Sequence, residues 1–132
     1  MQPLSRKITV DEAREFFAHP SQRPWGIKPE EIPGEGFEFW ADGPVCGVFH
    51  GAPWPGVVMA HYAVKPEGWG KSVSPARRIL AAFWDAHRPG AIMGWTSDSN
   101  RAAMAFNKRL GFEPVGRIDL PQGAVIMQTW RP

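Results

Sequence analysis

The apolar run Val57–Val64 breaks at Lys65-Pro66 into a glycine-containing loop, Glu67-Gly68-Trp69-Gly70-Lys71-Ser72, which leads into helical spacing. A loop of this kind can hold a phosphate. Backbone N–H groups at a helix start lack partners and point outward, the helix dipole favours an anion there, and glycine lets the backbone come close. Ordinary strand-to-helix turns use glycine in the same way, so the surrounding charge matters. Lys71 lies in the loop, and Arg77 and Arg78 follow within about one helical turn. Cations at a helix N-terminus oppose its dipole by roughly 0.3–1 kcal/mol each. A bound phosphate compensates for that; side chains that simply extend into water are the alternative. The strand entering the loop carries His61 and the chain's one tyrosine, Tyr62. Histidine can take a proton from an ammonium, and a phenol can supply a hydroxyl. A lone histidine on a strand also serves structure alone.

The elements that must position these residues follow from periodicity and turn residues. Lys7–Val10 reads as a short strand and Asp11–Ala18 as a helix with acids in its first turn. Residues 19–36 are proline-rich and irregular, with a helical turn at Pro29–Ile32. Phe37–Ala41, Val45–His50 and Val57–Val64 read as a three-strand meander, with a tight turn at Asp42-Gly43 and a looser one at Gly51–Gly56. Ser74–His87 has apolar residues at Ala76, Ile79, Leu80, Phe83 and Trp84, which is helical spacing; Ser74-Pro75 fits its start and Pro89-Gly90 its end. Ala91–Thr96 reads as a strand, Asn100–Leu110 as a helix closed by Gly111, and Phe112–Asp119 with Ala124–Trp130 as a final pair. The strand–helix–strand step from Val57–Val64 to Ala91–Thr96 implies a parallel pairing. The expectation is one domain over residues 1–132, of α/β (α+β) class, with a mixed, mostly antiparallel central sheet and helices on both faces.

Two segments resemble a known family. Val64-Lys65-Pro66-Glu67-Gly68-Trp69-Gly70-Lys71-Ser72 is similar to the acyl-CoA-binding segment of the GCN5-related N-acetyltransferases (GNAT), a strand ending in Val-x-Pro followed by Gln/Arg-x-x-Gly-x-Gly/Ala. Asn100-Arg101-Ala102-Ala103-Met104-Ala105-Phe106-Asn107-Lys108-Arg109-Leu110-Gly111-Phe112 resembles the family's second motif, Asn-x-x-Ala-x-x-Phe-Tyr-x-x-x-Gly-Phe, and is the more specific match. The resemblance implies acetyl-CoA as co-substrate, no metal, and direct attack of an amine on the thioester. Backbone groups of Ala63 and Val64 would pair with the pantetheine arm. Amides of Trp69, Gly70, Lys71, Ser72 and Val73 would hold the pyrophosphate, and Asn100, Ala103 and Phe106 would flank the thioester end. His61 is the candidate base and Tyr62 the candidate hydroxyl; His19, His50 and His87 are less well placed. Residues 19–36 and the turn around Trp54 would form the acceptor side. The chain departs from the pattern at Glu67, Ser72 and Pro75. It also carries Asn107 where many members have a tyrosine able to protonate the leaving thiolate, which an amide cannot do.

Composition bounds the alternatives. At 132 residues, with 43% hydrophobic and 21% charged, the chain has enough apolar material for a core without a metal or disulfide staple. A net charge of +2 without interleaved basic and aromatic residues gives no nucleic-acid surface. No apolar stretch is long enough to span a membrane, and the N-terminus lacks a signal pattern. One cysteine, Cys46, excludes an internal disulfide. A cytoplasmic location is therefore expected, and the resemblance implies a small-molecule or peptide amine acceptor. Seven tryptophans are many for this length. Trp25, Trp54 and Trp69 lie in proline- and glycine-rich loops, suited to a pocket, a homodimer or a protein partner. The competing reading is a catalytically impaired relative that serves as a binding or phage-associated module. The Pro-Glu-x-Trp-Gly loop looks like that of acetyltransferase-like proteins of tailed bacteriophages.

Overall fold

Thr9 fixes the start of the first helix. Its hydroxyl accepts from the Glu12 amide while the Glu12 carboxylate accepts from the Thr9 amide, a reciprocal capping box. The protein is represented by a computed structural model that describes residues 4–20 and 28–132; Trp25 lies outside the described residues. The elements are β1 (Arg6–Ile8), α1 (Val10–Ala18), β2 (Phe37–Asp42), β3 (Val45–Gly51), β4 (Val57–Val64), α2 (Val73–His87), β5 (Ala91–Ser97), α3 (Arg101–Leu110), β6 (Glu113–Leu120) and β7 (Gly123–Trp130). Short 3-10 turns sit at Pro29–Glu31 and Pro66–Gly68. The strand order is β1-β2-β3-β4-β5-β7-β6. The expected mixed, mostly antiparallel sheet is present, with β4 and β5 parallel.

The chain divides into two compact units, Met1–His50 with His61–Arg88, and Gly51–Ala60 with Pro89–Pro132. In the first, strand alternation sorts side chains onto two faces. Ala13, Phe16 and Phe17 of α1 pack with Phe39, Ala41, Cys46, Val48 and Ala63. The opposite face meets α2: Phe49 stacks on Phe83 with centroids 4.0 Å apart, and Gly47 lies under Ile79, whose Cγ2 would be 2.8 Å from an added Cβ. The two helices thus cover opposite faces of this part of the sheet.

One turn differs from expectation. β2 runs through Asp42, and Gly43-Pro44 form the turn, with Gly43 at φ 56°. An Asp42-Gly43 turn would have set Phe37 against Val48. The observed register is two residues further on and sets Phe37 against His50. Asp42 is the reason: its buried carboxylate takes Arg78 Nε and Nη2 at 2.8 Å each and Ser5 Oγ at 2.8 Å, which holds the residue in the sheet.

In the second unit, β4 pairs with β5 at Val57–Met59, β5 pairs with β7, and β7 with β6. Asn100 caps α3 by accepting from the Ala103 amide at 3.1 Å, and Gly111 ends it at φ 102°. The Trp130 indole donates to the Leu110 carbonyl at 3.0 Å.

Candidate functional site

The bend between β4 and α2 is anchored at its start. The Lys65 amide donates to the Pro44 carbonyl at 2.9 Å, and Gly68 packs so tightly on Pro44 that an added Cβ would sit 2.5 Å from its ring. The α2 helix begins earlier than the Ser74-Pro75 pair suggests. Ser72 is its N-cap, without a side-chain cap bond, which leaves Pro75 at the third helical position. No intrahelical bond is lost there, because the amide would have lacked an acceptor anyway.

Five amides were expected to face an anion, and the structure sorts them. Those of Trp69 and Lys71 donate back into the bend, to the Pro66 carbonyl at 3.1 Å and the Gly68 carbonyl at 2.9 Å. Those of Gly70, Ser72 and Val73, with Ser74 beyond them, have no backbone acceptor among the described residues. Gly70 lies at φ 82° with open space where a side chain would be. The cations also separate. Arg78 is committed to Asp42, which holds the Asp42 carboxyl below its usual range, whereas Lys71 is exposed and has no ion pair among the described residues. Trp69 is 62% exposed.

His61 and Tyr62 are neighbours on β4, so their side chains leave opposite faces of the sheet. His61 is on the face that meets α1, together with Ala63. There it meets His50, Nε2 to Nε2 at 2.8 Å, the rings 5.0 Å apart and nearly parallel. His50 stacks in turn on Phe37 at 4.6 Å. Burial, then the His50 charge, pushes the His61 imidazole down to about 4, so His61 is neutral at physiological pH. Burial pushes the Tyr62 phenol well above its usual value, which keeps the hydroxyl protonated. Cys46 is buried and pushed up to about 12, an unreactive thiol.

His50 and His61 face a cavity of about 370 Å³. Its walls are Phe17, Ile32, Pro33, Phe37 and Val48, with Lys28 and Glu31 completing it. Of residues 19–36, expected on the acceptor side, Lys28, Glu31, Ile32 and Pro33 line this cavity; residues 21–27 lie outside the described residues. His50 was ranked below His61 from sequence. The signal that could have found it was the β2–β3 register, which needed the turn placed at Gly43-Pro44.

In the second unit, the position of the family's tyrosine is taken by an inward-facing amide. Asn107 Nδ2 donates to Thr96 Oγ1 at 2.8 Å and to Gln128 Oε1 at 2.9 Å, and the Thr96 hydroxyl donates to the same Gln128 oxygen at 3.3 Å. Thr96 and Gln128 are 7% and 2% exposed. Asn107 therefore ties α3 to β5 and β7. Asn100 is spent as the cap, while Ala103 and Phe106 are half-buried along α3. Trp54 and Trp95 are 48% and 46% exposed.

No protein-family model and no curated protein sequence matches the chain. Solved structures do match. An aminoglycoside acetyltransferase in complex with coenzyme A is 16% identical, covering 96% of this chain and 92% of its own, with a TM-score of 0.71. The ribosomal-protein-S5-alanine acetyltransferase from Vibrio fischeri is 13% identical over 97% and 94%, with a TM-score of 0.71. A spermidine N-acetyltransferase chimera with a Vibrio cholerae component is 9% identical over 96% and 94%, with a TM-score of 0.69. A GNAT-family acetyltransferase from Bacillus anthracis also matches. At these identities the likeness is one of fold: the chain has the GNAT fold.

Proposed function

We propose that the chain, acting as one domain over residues 1–132, transfers an acetyl group from acetyl-CoA to a primary amine. The observation that carries this reading is the donor bend at the start of α2. Amides of Gly70, Ser72 and Val73 without backbone acceptors stand beside the exposed Lys71, at the positive end of a 15-residue helix. Such a bend suits a pyrophosphate, and its place after β4 is the one the sequence resemblance assigns to it. The solved proteins of like fold include acetyltransferases crystallised with coenzyme A or acetyl-CoA. Ala63 and Val64 form the backbone edge assigned to the pantetheine arm. Asn100, Ala103 and Phe106 are the α3 residues assigned to the thioester end.

In the reaction the amine nitrogen bonds to the acetyl carbon, the carbon–sulfur bond breaks, and the thiolate leaves. The amine must be neutral to attack, so its ammonium proton has to go elsewhere. With its imidazole pushed down to about 4, His61 is too weak a base to hold that proton, which goes to water. His61 is assigned the hydrogen bond that orients the neutral amine, and the second proton, lost as the amide forms, goes to the thiolate. Tyr62 leaves the opposite face of β4 with its hydroxyl buried, so it is assigned no contact with the departing sulfur. Asn107 has no part, because both of its donors are spent. Positioning of amine and thioester supplies much of the rate. Acetyl-CoA as co-substrate fits a cytoplasmic protein. The phage resemblance of the loop bears only on origin. The exposed Trp54, Trp69 and Trp95 are the side chains that a second copy or a protein partner would use.

Thermal unfolding with and without millimolar acetyl-CoA tests the reading. Saturation at 100 times Kd should stabilise the fold by about 2.7 kcal/mol. Gly70→Asp, which places a carboxylate at the bend, should abolish the shift. No shift with the unmutated protein would overturn the proposal. A shift without acetylation of any amine would favour the binding-module reading instead.

A further inference from the structure

On the basis of that reading, we infer that the acceptor is a compact primary amine carrying a single positive charge and one flat apolar group, and that polycations are excluded. The juxtaposition that points to this is the stacked row Phe37–His50–His61 along one side of the cavity. Phe37 and His50 have centroids 4.6 Å apart at 18°, and His50 and His61 are 5.0 Å apart at 11°. Rings stacked in a row turn their edges to the side, so an aryl group continues the stack at an end of the row, beyond Phe37 or His61, at the 4.5–7 Å spacing aromatic pairs prefer. The other walls are the apolar side chains of Phe17, Ile32, Pro33 and Val48.

Charge completes the selection. Among the described residues, the titratable groups facing the cavity are Lys28, Glu31, His50 and His61. Glu31 is the one carboxylate among them. Its side chain is 67% exposed, and Lys28 Nζ stands 4.0 Å from it. The pair sums to zero, so no described residue of the cavity balances a second ammonium. His61, being neutral, accepts a hydrogen bond but offers no negative charge. An amine with one charge can shed its proton to water on entry and leave mostly apolar surface to be buried. A spermidine or aminoglycoside would have to bury further charges against Phe17 and Phe37 with no counter-ion, which is strongly unfavourable. Size agrees: about 370 Å³ is at the small end of ligand pockets, which span about 300–1,000 Å³.

The test compares 2-phenylethylamine with spermidine and kanamycin at one pH. Thiol release from acetyl-CoA gives kcat/KM for each. Nitrogen-15 spectra of the histidine rings, recorded with and without coenzyme A, report binding in the cavity. We expect kcat/KM for 2-phenylethylamine to exceed that for either polycation at least tenfold, and only 2-phenylethylamine to shift the His50 and His61 signals. Phe37→Glu should move the ratio tenfold or more towards spermidine. Phe37→Leu, the milder change, should raise KM for 2-phenylethylamine several-fold. A ratio under tenfold in the unmutated protein, or histidine shifts with spermidine, would overturn the inference and leave acetyl transfer standing. If no amine is acetylated, the ring signals decide. A selective response to 2-phenylethylamine upholds the cavity's preference while acetyl transfer falls, and no response removes both.

Discussion

His61 shows how one residue type acquires a role from its surroundings. On a bare strand its imidazole would titrate near 6.5. Buried against His50, it is pushed down to about 4. The folded chain therefore binds this proton less readily than the unfolded chain. The stability linked to it is complete above about 6.5 and is lost as pH falls through the window down to about 4. That loss reaches up to about 3 kcal/mol, at 1.36 kcal/mol per pH unit. Denaturant titrations at pH 7 and pH 4.5 should show the decline in the native sequence and a smaller one in His61→Asn. On the acetyl-transfer reading, the same substitution removes the hydrogen bond that orients the amine, so it should raise KM for the amine several-fold and leave the acetyl-CoA thermal shift in place. Asn107 is the opposite case, a position expected to bear on chemistry that holds structure. Asn107→Ala strands Thr96 and the buried Gln128, and should cost about 1–3 kcal/mol, read as a lower urea midpoint.

Elements set which partner a charged group meets. Arg77 and Arg78 are adjacent, yet the helical turn aims Arg78 back at Asp42 on β2. The pair is asymmetric: the Asp42 side chain is 5% exposed and that of Arg78 is 42%. Removing the arginine leaves a buried carboxylate with the Ser5 hydroxyl as its remaining partner among the described residues, whereas removing the carboxylate returns an arginine to water. Arg78→Ala should therefore destabilise by about 2–3 kcal/mol and Asp42→Ala by less, about 1 kcal/mol. Equal losses in chemical denaturation would show that the burial difference has no energetic weight. Element boundaries were also where reading the sequence slipped. The Asp42-Gly43 turn and the Ser74-Pro75 helix start both obey local preferences. Both gave way to long-range contacts, Asp42 to Arg78 in the first case and the Pro44–Gly68 packing before α2 in the second.

At the scale of the molecule, the strand and helix order and the mixed sheet follow from the sequence almost element by element. The two compact units share β4, which gives its second half to one and its first half to the other with no linker. We expect one cooperative calorimetric transition, as for a single domain; two resolved transitions would separate the units. The chain by itself determined the periods, the glycine bend after β4 and the motif along α3. These are local, written in residues within a few positions of one another. Tertiary structure alone decided that His50 meets His61, that Arg78 is spent on Asp42, that Asn107 turns inward, and that two of five bend amides close on themselves. Each joins residues far apart in sequence or depends on the register of a strand, and a shift of two residues in one hairpin would have changed the partner of Phe37.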